Sequence, residues 1–402
     1  MASKLPILSL SCVFPNPDDP GLGLFVKSRL GYLSKIASIK VIAPLALVDF
    51  SSAGKARFGR RGVPFQRRED ELEILHPAWI YPPGGFAVNP VLLFARLLPF
   101  VKRVRKNFDF QVIDAHFAFP DGIAAALLSH ATGVPFTVTL RGSEVLHAEY
   151  ARRRKFMGWA LKRAARVIAV SERLRNFAVS LGVDKARTAV ISNGVDSSRF
   201  SPQDRDACRL KHGIPPGAKV ILSAGTLIEL KGHHRVAKAL AGLRRRGFNA
   251  ELLIAGRSGA FETEIKKQIA GLGFTDSVRI LGEVPPAELA ELMSASDVLC
   301  LASSREGWPN VVHEAMACGT PVVATDVGAV RDMIPSLQHG VVVPAGDESA
   351  LEDALLQALQ RQWDRQKISA WAQSRTWERV AEEVLAEFHA VLNTAAKRNA
   401  AA

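Results

Sequence analysis

Arg305-Glu306-Gly307-Trp308-Pro309-Asn310-Val311-Val312-His313-Glu314-Ala315-Met316-Ala317-Cys318-Gly319-Thr320-Pro321 stands between two apolar runs, Asp297 to Ala302 and Pro321 to Thr325, that read as buried parallel strands. The segment therefore reads as a loop, a short helix and a turn. Pro309 suits the first helical turn, where a missing N–H costs nothing, and Gly319 suits the position just past the end. This predicts a helix starting near Pro309, with Glu306 in the loop before it and Glu314 on its second turn. The free amides at that N-terminus make a positive pole, and Gly307 lets an anion approach the backbone. Two carboxylates beside an anion site imply a ligand that also donates hydrogen bonds, and ribose or sugar hydroxyls do so. Taken without their neighbours, the two glutamates fit a solvated helix face as well as a site.

Around this segment the chain alternates short apolar runs with helical patterns, the signature of an α/β protein. Its 402 residues suit two domains of about 200 each, and 48% hydrophobic with 23% charged residues is a globular composition. No apolar run reaches the roughly 18 residues of a spanning helix. Pro6 and the missing small-x-small cleavage site make Ile7 to Phe14 a first strand and not a signal peptide. Cys12, Cys208, Cys300 and Cys318 are widely spaced without metal-ligand pattern, as expected of reduced cytosolic thiols. The net charge of +13 is concentrated in the first half, at Lys55 to Arg68, Lys102 to Lys106 and Arg152 to Lys155. An anionic membrane or a phosphorylated lipid carrier would be attracted there, as would nucleic acid, which ranks last because no nucleic-acid-binding motif accompanies the charge. A solvated basic face is the plain alternative.

The opening reads as βαβ, with a Pro15 to Leu24 loop carrying Gly21 and Gly23 but no G-x-G-x-x-G. Residues 50 to 88 read as a polar, basic excursion, and Asn89 to Lys106 as an amphipathic helix. Two polar words follow strands: His116-Phe117-Ala118-Phe119-Pro120-Asp121-Gly122 after Gln111 to Ala115, and Arg141-Gly142-Ser143-Glu144 after Pro135 to Leu140. Open α/β sheets bind ligands at such strand ends. Later strands end at Gly225-Thr226-Leu227-Ile228-Glu229-Leu230-Lys231-Gly232, at Gly256-Arg257 and at Gly282-Glu283-Val284. Leu351 to Gln362 and Ile368 to Leu392 read as closing helices.

Glu306 to Thr325 resembles the E-G-x-P-N-V-x-x-E-A-M-A-x-G-x-P-V-V-A-T donor signature of the retaining glycosyltransferases of family four, in the branch that builds bacterial cell-surface polysaccharides. Asn193-Gly194-Val195-Asp196 with Phe200-Ser201-Pro202 resembles a second family word, at the passage between domains. The resemblance implies the GT-B fold: two Rossmann-like doubly wound domains facing a cleft, here 1–197 and 198–365, with a C-terminal helix, 366–395, crossing back to the first. It implies transfer of a sugar from a nucleoside-diphosphate sugar, UDP or GDP, to a sugar or lipid-linked acceptor. Stereochemistry is retained, and neither metal nor cofactor takes part. The expected place is the cytoplasm, or the inner face of the cell membrane in peripheral contact with anionic lipid.

By the same resemblance the catalytic candidates are Glu306, Arg141 and His116. The donor-binding candidates are Lys231, Thr226, Gly225, Glu314, Gly307, Asn310, Val311, Arg257 and Val284, and Gly23 lies in the loop facing the acceptor and diphosphate. Lys231 and the amides after Glu306 would meet the diphosphate, Glu314 the ribose, and Glu306 with Arg141 and His116 the sugar. Two positions depart from the family pattern. Arg141 stands where a histidine is usual, and an arginine stays protonated and cannot be a general base. Thr226 stands where an arginine usually meets the diphosphate, leaving Lys231 and backbone amides. Two alternatives follow: a non-catalytic nucleotide-sugar-binding protein of this fold at the membrane, or a sugar-nucleotide epimerase.

Overall fold

The computed structural model describes residues 4–49, 57–58, 62–82 and 88–400. They form two compact units, Met1–Asn193 with Trp377–Ala402, and Gly194–Thr376. Lys55, Arg60 and Arg61 of the basic run lie outside the described residues.

The second unit holds a six-stranded parallel sheet in the order Val278–Gly282, Glu251–Ala255, Val220–Ala224, Val298–Leu301, Val322–Thr325, Gly340–Val343. Counted along the chain this is 3-2-1-4-5-6, the doubly wound order of Rossmann folds. Side chains alternate across a strand, so each strand feeds two cores. Leu222, Ala224, Leu253, Leu299, Leu301, Val322 and Ala324 pack on one face. Ile221, Leu252, Ile254, Val298, Cys300 and Val323 pack on the other. Both faces are covered, which is why these strands read as continuous apolar runs. The order reverses between Val220–Ala224 and Val298–Leu301, where ligands bind in such sheets.

The first unit has an eight-stranded sheet: Thr188–Val190, Arg166–Ala169, Phe136–Leu140, Val112–His116, Pro6–Leu10, Ser38–Ile42, Leu72–Leu75, Gln66–Glu69. All neighbours are parallel except the last pair. That antiparallel hairpin lies within the stretch read as an excursion. Its outer strand, Gln66-Arg67-Arg68-Glu69, is polar on both sides because it is an edge, and charge there blocks further pairing.

The C-terminal region is three helices, not two: Glu348–Gln360, Arg365–Gln373 and Trp377–Ala400. Arg365–Gln373 stays in the second unit, where Ser369 Oγ donates to the Ala317 carbonyl at 2.7 Å and His313 Nε2 lies 2.8 Å from the Ala372 carbonyl. The return to the first unit therefore begins at Trp377, later than residue 366. Trp377, Val380, Val384 and Phe388 share a core with Val26, Leu30 and Leu33.

Candidate functional site

In the second unit the loops after Val220–Ala224 and Val298–Leu301 meet at the switch point. Lys231 Nζ donates to Glu306 Oε1 at 2.7 Å, their side chains 24% and 10% exposed. The buried Ser303 hydroxyl donates to the same oxygen at 2.8 Å. Gly225 lies against Lys231: a Cβ there would stand 3.4 Å from the lysine's Cδ. His233 fixes this loop through Ser223 Oγ at 2.8 Å and the Gly225 carbonyl at 3.1 Å. Burial lowers the His233 pKa to about 4, so the ring is neutral; Nε2 donates to the carbonyl and Nδ1 accepts from the serine. Neither Ser303 nor His233 stands out in the sequence, although His233 directly follows the lysine word.

The helix predicted from Pro309 spans Asn310–Ala317 with Pro309 as its N-cap. Gly307, Asn310 and Val311 sit at its start, half-buried, and Val311 packs with Val284 and Trp308 on one apolar cluster. The Gly307 carbonyl accepts from Ala329 N at 3.1 Å. This contact needs Gly328 at φ +57°, where a Cβ would come 2.5 Å from the Glu306 carbonyl oxygen. The loop bearing Arg257 is joined to the Gly225 loop, since Leu227 N donates to the Arg257 carbonyl at 2.9 Å and Gly256 leaves no room for a Cβ beside the Gly225 carbonyl. The Arg257 side chain is exposed and Thr226 half-buried. Glu314, on the second helical turn, is half-buried; burial alone raises its pKa to about 7. Neither an ion pair nor a hydrogen bond to its carboxylate occurs among the described residues.

In the first unit Arg141 and His116 are brought together by a buried chain of charges. Arg29, on the helix Leu24–Ser34, lies 3.1 Å from Asp114 Oδ2 and donates to Thr139 Oγ1 at 2.6 Å. Thr137 Oγ1 donates to Asp114 Oδ1 at 3.0 Å. Burial would raise the Asp114 pKa, but Arg29, His116 and Thr137 outweigh it and hold it at about 2. His116 Nε2 lies 3.3 Å from Asp114, and Arg141 donates to His116 Nδ1 at 3.0 Å. Burial lowers the His116 pKa to about 4, so its one proton sits on Nε2, facing the aspartate. His116 is fully buried, and its hydrogen bond from Arg141 orients that guanidinium.

Arg141, 7% exposed, also donates to Asn193 Oδ1 at 2.8 Å and lies 5.2 Å over the Phe25 ring. Burial and Arg29 lower its pKa to about 9 against the pull of Asp114 and Glu144, which leaves a cation at neutral pH. Glu144, fully buried, accepts from the amides of Ala118, Arg141 and Gly142, at 2.7 Å for Gly142, and so ties the two polar words to each other. Gly23 precedes the helix Leu24–Ser34 at φ +67°, where a Cβ would stand 2.4 Å from the Val13 carbonyl oxygen. The arrangement offers a cation in each unit suited to phosphate or hydroxyl oxygens.

Residues 204–375 match the model for glycosyl transferases group 1, and residues 58–199 match glycosyltransferase family 4. A D-inositol 3-phosphate glycosyltransferase of Pseudarthrobacter chlorophenolicus is 32% identical over 310 residues, 73% of this chain and 74% of that protein. A Bacillus subtilis protein named for teichuronic acid biosynthesis glycosyltransferase activity, itself a provisional assignment, is 29% identical over 86% of this chain and 87% of its own. Among solved structures, sucrose-phosphate synthase from Thermosynechococcus elongatus superposes with TM-score 0.80 at 19% identity, covering 97% of this chain and 100% of that one. Anabaena HepE in complex with UDP superposes with TM-score 0.69 at 20% identity, covering 98% and 100%. These neighbours share the GT-B fold.

Proposed function

This chain belongs to glycosyltransferase family 4, and from that premise we propose that it moves a sugar from a nucleoside-diphosphate sugar to an acceptor hydroxyl with retained stereochemistry and without a metal. The observation that carries this reading is the Lys231–Glu306 pair at the switch point of the second unit. In the proposed site Lys231 turns from Glu306 to the diphosphate, with the amides at the start of Asn310–Ala317 beside it. The leaving diphosphate gains charge as the bond to the anomeric carbon breaks, and prepositioned donors stabilise that charge more than the ground state. Glu306, held through one oxygen by Ser303, accepts from a sugar hydroxyl; Glu314 accepts from the ribose. Arg141 serves as a fixed cation toward a substrate oxygen, with His116, Asp114 and Arg29 as its positioning residues. Sugar binding by HepE's crystal form with UDP and glucose, and the naming of the Bacillus relative for teichuronic acid, support a UDP-sugar donor and a role in cell-surface polysaccharide or glycolipid synthesis.

Thermal shift across nucleoside diphosphates and their sugars, with wild type and Lys231→Ala, tests this. A ligand held only by the folded state adds about 2.7 kcal/mol of stability at a hundred times its Kd. One nucleotide series should raise the wild-type Tm and leave Lys231→Ala unmoved. No response from the folded wild type across the panel would overturn the donor site.

A further inference from the structure

We propose that Asn89 binds a hydroxyl of the sugar acceptor; this rests on the transfer reading above, which places the donor in the second unit. Asn89 opens the helix Asn89–Asn107, whose buried face is Asn89, Pro90, Leu93, Leu97 and Val101. The residue is 1% exposed, and neither its amide nitrogen nor its amide oxygen has a hydrogen-bond partner. Among the described residues no other side-chain amide leaves both atoms buried and unpartnered; Gln268, whose oxygen is also unpaired, donates to Glu264 at 2.9 Å. Burying a bare amide is costly, so such a group calls for a partner. Capping does not explain it: Val88 holds the cap position, and no side chain caps this helix.

The place of Asn89 in the fold supplies a reason. The Arg105 guanidinium donates to the Thr132 carbonyl, at the end of the helix Ile123–Thr132, so the two packed helices run side by side in one direction. From Arg105 back to Asn89 the helix spans about 24 Å, against about 14 Å from Thr132 back to Ile123. Asn89 therefore stands past the start of its neighbour, beside the segment Ala118–Gly122 against which its helix packs. That segment follows the carboxyl end of the strand Val112–His116, the end at which such sheets bind ligands. An amide both donates and accepts, and a hydroxyl answers both; an ionised phosphate only accepts and would leave the amide oxygen bare. Reaching the amide requires the first helical turn to open. Neither a capping side chain nor an acid holds that turn, so it opens at lower cost than the helix interior.

Asn89→Leu keeps the branching of the side chain and removes its polar atoms, which separates this role from a structural one. Without ligand the variant should melt about 2–10 °C above wild type, because an unpaired polar group has gone. The nucleotide that stabilises wild type should stabilise the variant equally. Transfer is read as nucleoside diphosphate released from the matching nucleotide sugar, with methyl glucoside, galactoside and mannoside and their monodeoxy analogues as acceptors. Wild type should use one parent glycoside at least about tenfold better in kcat/KM than one of its deoxy analogues, and Asn89→Leu should use the two alike. Asn89→Ala, which adds no bulk, should lose the same discrimination. Both variants melting below wild type, either variant keeping the wild-type discrimination, or a nucleotide-responsive wild type that tells no parent from its deoxy analogues would overturn this proposal alone. A wild type stabilised by no nucleotide would overturn the transfer reading, and the proposal with it.

Discussion

Glu314 places a carboxyl in a setting that costs stability unless something occupies the site. Its pKa stands at about 7 against the ordinary 4.5, and burial is the cause. Each pH unit between those values is worth about 1.4 kcal/mol, so ionising it in the folded protein costs up to about 3 kcal/mol. The sign follows from proton uptake. Between pH 4.5 and 7 the folded form holds the proton more tightly than the unfolded chain, so stability falls as pH rises through that interval. Glu314→Gln removes the titration and keeps the shape. At pH 5 the two proteins should melt together; at pH 8 the variant should melt higher, by roughly 5–10 °C for a unit of this size. The assay is a melting series across pH 5 to 8 without ligand. A Tm difference constant with pH, or a wild type more stable at pH 8, would refute the reasoning. A nucleotide whose ribose hydroxyls donate to this carboxylate should bind wild type more tightly as pH rises, and Glu314→Gln should lose both that dependence and affinity.

Asp114→Asn leaves Arg29 buried without its anion and should cost about 3–5 kcal/mol, read by chemical denaturation. Because the wild-type carboxyl is held at about 2, its contribution is present above the ordinary 3.8 and is lost as pH falls toward 2, so the acid limb of the variant should be flatter. Gly328→Ala forces a left-handed Cβ toward the Glu306 carbonyl; it should lower the Tm and weaken nucleotide binding together, both visible in one thermal-shift series.

Glu306 to Gly319 was legible because local signals agree there: apolar runs on both sides, a proline at the helix start and a glycine past its end. The hairpin Gln66–Leu75 was hidden by short strands, one of them charged for the sake of the edge. The break at residues 374–376 was hidden because neither a glycine nor a proline marks it. In the candidate site Lys231 and Glu306 follow from their words, whereas the Arg29–Asp114 pair joins residues 85 positions apart, beyond any spacing rule. One clue existed: an aspartate inside a strand buried on both faces requires a cation. The full burial of His116 is likewise something that motif spacing does not encode.

The helix Trp377–Ala400 has a consequence for how the chain is made. The second unit is one continuous stretch, Gly194–Thr376, and every residue of its sheet has left the ribosome before Trp377 does. The first unit begins at the N-terminus, yet Val26, Leu30 and Leu33 wait for Val380, Val384 and Phe388 to cover them. The half synthesised second is thus the first able to close, and the earlier half carries an open apolar groove throughout synthesis, a window in which a chaperone or a premature stop decides its fate.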